Sequence, residues 1–166
     1  MVHGETARVV VKAPHDAIDK LVVENRARTL ILDKGGLGNH PHAELKASII
    51  TPMLTDLGVK GLVRLDFSGF HADRLSIRTD GATTLTGREN RIRELHLSGE
   101  GMTDINLKEN PVTSADVRYE GMYTIRLSMT GGTLSGSIKG LGKILYDGHV
   151  REERIQRRGR CEVRHE

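Results

Sequence analysis

Apolar and polar residues alternate along most of this chain, and from residue 51 onward the alternation recurs at a fixed period. LSIRTDGATTLTG begins at Leu75, LHLSGEGMTDINL at Leu95 and ADVRYEGMYTIRL at Ala115, so successive starts (75, 95, 115) are 20 residues apart. In each unit an apolar residue holds the third place (Ile77, Leu97, Val117) and another comes ten places after the start (Leu85, Ile105, Ile125). A glycine falls six places after the start, at Gly81, Gly101 and Gly121. Leu57, Gly61, Leu65 and Phe67 fit the scheme upstream. Ile138, Gly140, Gly142, Ile144 and Tyr146 resume it downstream with a shift of about two residues.

Strict alternation is the signature of a strand with one buried face, and no unit holds the 3.6-residue pattern of a crossover helix. A unit this short cannot close a core by itself. Stacked coil on coil, however, such units bury one continuous aliphatic core, so the pattern predicts an all-β, single-domain β-solenoid with parallel rungs of about 20 residues. The recurrent glycine then marks a corner, where φ is positive or where coils approach too closely for a side chain. Ser98-Gly99-Glu100-Gly101 looks like a phosphate-binding glycine loop. Its second glycine belongs to the recurring set, and no helix follows whose amino terminus could hold a phosphate.

The first 50 residues are less regular and read as N-terminal strands and a cap. ARVVVK, DKLVVEN and RTLILDK are strand-like, Pro14 to Ile18 allow one helical turn, and Leu32 to Leu45 is a loop rich in Gly, Asn, His and Pro. Residues 51–150 carry the regular rungs. Residues 151–166, REERIQRRGRCEVRHE, offer only Ile155, Cys161 and Val163 as apolar candidates and read as a charged end rung or cap.

These segments, in this order, resemble the auto-transporter adhesin head family known as the GIN domain, a bacterial envelope domain of unknown function. RVVVKAPHDAIDKLVVENRARTLILD is similar to its opening segment and ITPMLTDLGVKGLVRLDFSGF to the start of its solenoid. LSGEG and IKGLGKILYDG are similar to its small-Gly-x-Gly rungs. The resemblance implies a right-handed parallel β-helix and brings no catalytic residues with it. The basic carboxyl tail, Arg78 and Arg118 within rungs, and the lack of a lipoprotein or secretory signal depart from the family pattern.

Composition narrows the function classes. Aromatic residues make up 3% of the chain and tryptophan is absent, so the core is expected to be aliphatic and few rings can stack on bases or sugars. The net charge of +3 comes from 25 basic and 22 acidic residues spread along the chain rather than gathered in a patch, so nucleic acid is not an expected partner. No stretch approaches a transmembrane helix. MVHGETARVVVK has no apolar segment of the secretory kind, which leaves cytoplasmic residence open. The single cysteine, Cys161, reads as a small apolar strand residue.

Among candidate chemical groups, Asp80, Glu100 and Glu120 lie five places after the three starts, and Arg78, Ser98 and Arg118 lie three places after them. In register, the carboxylates form an outward ladder at about 4.8 Å spacing, whose expected partners are the neighbouring arginines. Arg78, Asp80, Glu100, Arg118 and Glu120 are therefore the candidate ligand-binding set. Asp104 and Asn106 read as polar surface. His40 and His42 read as surface-loop residues, since no zinc-type set of Cys and His accompanies them. Ser98 lacks the strand-to-helix elbow of a hydrolase nucleophile.

No catalytic residue, metal or cofactor is expected. The resulting reading is a non-enzymatic adhesion or structural module of the bacterial envelope, or secreted, facing a glycan or protein at the cell surface and forming at most a small homo-oligomer. A cytoplasmic polymer-forming solenoid of the bactofilin kind and a carbohydrate-active β-helix enzyme using the acidic column are the two rival readings. The scarcity of aromatics weighs against the enzyme.

Overall fold

The computed structural model of the chain describes residues 1–12, 22–26, 29–33 and 46–166. Its elements are strands: β1 (Val2–His3), β2 (Arg8–Lys12), β3 (Val22–Arg26), β4 (Thr29–Asp33), β5 (Lys46–Thr51), β6 (Asp56–Lys60), β7 (Val63–Ser68), β8 (His71–Arg88), β9 (Arg91–Thr130), β10 (Thr133–His149) and β11 (Glu152–His165). They fall into two compact units, Met1–Thr6 with Thr51–Glu166, and Ala7–Ile50.

In the unit Ala7–Ile50 the three strand-like segments of the sequence are β2, β3 and β4. β3 and β4 pair antiparallel from Val22↔Asp33 to Arg26↔Thr29, and β2 pairs antiparallel with β5 from Arg8↔Ile50 to Lys12↔Lys46. The helical turn expected at 14–18 lies outside the described residues, as do most of the expected loop and both His40 and His42.

The other unit is a β-solenoid of about six turns. Each coil pairs in parallel with the next: Leu57↔Ile77, Ile77↔Leu97, Leu85↔Ile105, Ile144↔Ile125 and Ile144↔Val163. The expected inward residues Ile77, Leu97, Val117, Leu85, Ile105 and Ile125 are at most 1% exposed. Burying each such side chain is worth about 1.5–3 kcal/mol, which is where the stack draws its stability. Downstream of Gly121 the step shortens to 19 residues, since Gly140 pairs with Gly121 and Gly159 with Gly140. The slip is thus one residue per coil, smaller than the two expected at Gly140.

The glycine column fixes this register for two reasons at once. Gly61, Gly81, Gly101, Gly121, Gly140 and Gly159 all have φ between 88° and 118°, a region L side chains rarely enter. A Cβ on Gly121 would also sit 2.3 Å from the carbonyl oxygen of Gly101, and one on Gly140 would sit 2.4 Å from that of Gly121.

A second corner is held by side-chain amides. Asn90 and Asn110, 20 residues apart and fully buried, stack so that Asn90 Nδ2 donates to Asn110 Oδ1 at 2.6 Å. Asn110 Nδ2 donates to the Gly87 carbonyl at 2.7 Å, and Asn90 Oδ1 accepts from the Phe70 amide at 2.9 Å. Each asparagine therefore meets backbone groups that a corner would otherwise bury unpaired.

The final coil keeps the register and changes its filling. Glu153 pairs with Leu134, Arg157 with Ile138 and His165 with Tyr146, so three inward columns turn polar at β11. Ile155, Cys161 and Val163 continue the apolar columns, half-buried, which makes residues 152–165 a charged rung.

Candidate functional site

The glycine corner separates two outward faces of the same coils. On one side lies the expected ladder. Asp80 pairs in register with Glu100, and its column runs Lys60, Asp80, Glu100, Glu120, Lys139, Arg158. The next outward column of this face carries Arg78, Ser98, Arg118, Ser137 and Gln156. All five candidate ligand residues thus lie together, around an open groove of about 620 Å³.

The carboxylates do not pair with the arginines as expected. Lys60 Nζ lies 3.2 Å from Asp80 Oδ2, and Lys139 Nζ donates to Glu120 Oε1 at 2.6 Å. Arg118 instead lies 2.8 Å from Asp116 on its own strand. Each lysine is the in-column neighbour of its carboxylate, one interstrand step of about 4.8 Å away. Glu100 sits between the two pairs at the centre of the ladder. Among the described residues, no three His, Cys, Asp or Glu side chains are grouped to hold a metal ion. Ser98 stands in the Arg78 column on a strand.

Tyr119 forms part of the floor of this face. Its ring passes over Gly99, where a Cβ would lie 2.9 Å from Tyr119 Cε1, and its hydroxyl reaches Thr79 Oγ1 at 3.0 Å, two coils away. Burial pushes the Tyr119 phenol up to about 12, against the opposing effect of the Thr79 hydrogen bond. The two glycines of Ser98-Gly99-Glu100-Gly101 therefore do different work: Gly99 seats a tyrosine ring and Gly101 turns a corner.

The other face was not anticipated from the sequence. Immediately after the glycine column runs Leu62, Ala82, Met102, Met122, Leu141, and the first of these is 85% exposed. The signal was present, as apolar residues one place after each recurring glycine, but strand alternation assigns that place outward and draws no attention to it. Beneath, Tyr123 lies over Gly142, whose Cβ would come 2.6 Å from the ring. Burial, followed by the neighbouring Cys161 thiol, raises the Tyr123 phenol, and its hydroxyl makes no hydrogen bond of good geometry. Cys161 is half-buried here, with its Sγ 3.3 Å from the Arg158 carbonyl.

Comparison with known proteins agrees with this architecture. A family model described as "Putative auto-transporter adhesin, head GIN domain" matches residues 1–164. No curated protein matches the sequence. Among solved structures, a putative adhesin from Bacteroides fragilis is similar at 15% identity and a TM-score of 0.69, over 99% of this chain and 86% of that one. A putative adhesin from Parabacteroides merdae, also at 15% identity, gives 0.57 over 98% and 86%. A putative lipid binding protein from Parabacteroides distasonis gives 0.53 at 14% identity over 98% and 87%. Identities this low speak for a shared fold.

Proposed function

The chain belongs to the auto-transporter adhesin head GIN-domain family, and on that footing we propose that it is a non-enzymatic adhesion module of the bacterial cell envelope that binds a surface glycan or protein along its polar face. The observation that carries this reading is the ladder Asp80, Glu100, Glu120 flanked by Arg78 and Arg118 on a backbone fixed by parallel pairing and a glycine column. Side chains on such coils stay at fixed spacing, so an extended ligand meets a preformed row of charges and bears most of the ordering cost itself. Both signs are present, so the face suits a ligand carrying hydroxyl or amide groups with charges of either sign.

A polymer-forming role is disfavoured by β11, where Glu153, Arg157 and His165 occupy inward columns and Arg157 pairs with Glu153 at 2.5 Å. Adding a coil there would bury that pair, which costs several kcal/mol unless it is fully compensated.

The test is retention of the folded protein on immobilised glycans and on envelope-protein fractions, comparing the wild type with Glu100→Gln and Arg118→Gln. Saturable binding, weakened in both variants at unchanged thermal stability, is expected. Binding indifferent to both substitutions would remove the face from the proposal, and product release from a polysaccharide, abolished by Asp80→Asn or Glu100→Gln, would replace adhesion with catalysis.

A further inference from the structure

The apolar stripe calls for an occupant. Leu62, Met102, Met122 and Leu141 are 85%, 57%, 47% and 52% exposed, and with Ala82 they form one wall of an open groove of about 870 Å³ running across the coils. A contiguous aliphatic row of this kind is unusual on a surface that stays in water. The opposite wall is the column Arg64, Thr84, Asp104, Thr124, Lys143, Glu162. From its charge order we infer that the occupant is a second copy of this chain, packed antiparallel about a twofold axis passing between Met102 and Met122.

The argument is one of self-complementarity, since a twofold interface sets each patch against the reverse of itself. With the axis between Met102 and Met122, each Met102 meets Met122 of the second copy, Ala82 meets Leu141, and Leu62 lies along the aliphatic stem of Arg160. On the opposite wall Arg64 faces Glu162 twice, Thr84 faces Lys143 and Thr124 faces Asp104, so no like charges meet. Sliding the copies one coil, to centre the axis on Met102, brings Arg64 against Lys143 and Asp104 against Asp104. Centring on Met122 leaves Leu62, the most exposed of the row, uncovered. A parallel pairing sets Arg160 against Arg160 when its axis runs along the stripe, and sets Met102 against Asp104 and Leu62 against Arg64 when its axis runs along the middle of the groove. Full overlap, aliphatic contact and charge matching thus select one arrangement.

An anionic membrane surface is the other class of occupant such a stripe could serve, but Asp104 and Glu162 line the groove together with Arg64, Lys143 and Arg160. Surfaces that seek anionic lipid carry clusters of about four to eight Lys or Arg, more than this groove offers. The stripe from Leu62 to Leu141 spans four coil-to-coil steps, about 19 Å at the interstrand spacing. It is narrow, so the interface belongs to the small, reversible class.

Sedimentation velocity on the full chain across the micromolar range tests the pairing. A monomer–dimer equilibrium is expected, abolished by Met122→Glu with an unchanged circular dichroism spectrum. Arg64→Glu and Glu162→Arg should each weaken the dimer by about tenfold, and the double variant should recover it, because the swap restores opposite charges. The proposal falls if the wild type sediments as a monomer throughout, if a dimer forms that ignores Met122→Glu, or if the double variant is no better than the single ones. It also falls if a monomeric protein instead co-sediments with phosphatidylglycerol vesicles in a Met122-dependent way, which would make lipid the occupant.

Discussion

The coils between Leu75 and Thr130 and the final coil, β11, share one backbone register and are filled differently. In the middle, columns such as Ile77, Leu97, Val117 and Leu85, Ile105, Ile125 are aliphatic and closed to water. At β11 the glycine corner persists as Gly159, with φ of 100° and a would-be Cβ 2.5 Å from the Gly140 carbonyl, while Leu134, Ile138 and Tyr146 are followed in their columns by Glu153, Arg157 and His165. Backbone geometry and core chemistry are therefore specified separately: the glycine places the coil, and the inward residues decide whether another hydrophobic layer rests on it. Arg154 with Glu152, Arg157 with Glu153 and Arg164 with Glu162 pair within the last coil, so its charge is largely matched locally.

The sharpest way to break this comparison is through the glycine column. Alanine at Gly121 has to adopt a φ near 118° and overlap the Gly101 carbonyl at 2.3 Å, with coils packed on both sides that cannot withdraw. A loss of about 3 kcal/mol or more is expected, with failure to fold as its upper limit. Gly159→Ala meets a similar overlap in the last coil, where β11 can detach locally, and should cost much less. Gly61→Ala meets no atom within 4 Å and isolates the cost of φ. Urea denaturation of the three variants ranks them; equal losses at Gly121 and Gly159 would mean that the column does not distinguish middle from end.

Core truncations come next. Leu97→Ala and Ile105→Ala remove side chains at most 1% exposed and leave cavities that two neighbouring coils must line, for an expected loss of 2–5 kcal/mol, about what buried leucine and isoleucine truncations cost elsewhere. Val163→Ala sits in the Ile105 column's continuation but is half-buried, and should cost less than about 1 kcal/mol. Chemical denaturation midpoints that fail to separate these sites would contradict the view that burial, not strand pairing, carries the stability.

The solenoid was legible in the sequence because its two determinants, alternation and a positive-φ glycine, both leave single-residue marks at a constant spacing. Whatever depended on contacts between coils was less visible. Asn90 and Asn110 also recur at 20 residues, yet an asparagine near a turn is ordinary until the amide of one is seen bonded to the next. Gly99 and Gly142 look like corner glycines and are seats for the rings of Tyr119 and Tyr123, a pairing set by register rather than by neighbours in sequence. In the candidate ladder the acidic column was readable from spacing. Its lysine partners were not, because Lys60 lies before the regular units and Lys139 falls after the 19-residue step begins.

The smallest expected effect separates the two regions by their tyrosines. Tyr119 is buried among the middle coils and burial raises its phenol to about 12; Tyr146, beneath the last coil, is raised too, first by burial and then by the charge of Glu153. A phenol whose folded value exceeds its unfolded value of about 10 stabilises fully below pH 10, and that contribution is lost as pH climbs from 10 toward 12, because the unfolded chain ionises first. Tyr119 should titrate only as the middle coils open, so its absorbance change near 295 nm tracks the loss of far-ultraviolet dichroism. Tyr119→Phe should flatten the decline in denaturation midpoint between pH 9 and 11 at a small cost at neutral pH, since Thr79 keeps Thr103 within 3.3 Å. Should every tyrosine titrate reversibly near pH 10 with the dichroism intact, the ring of Tyr119 is not sealed over Gly99, and the floor of the polar face is open to water.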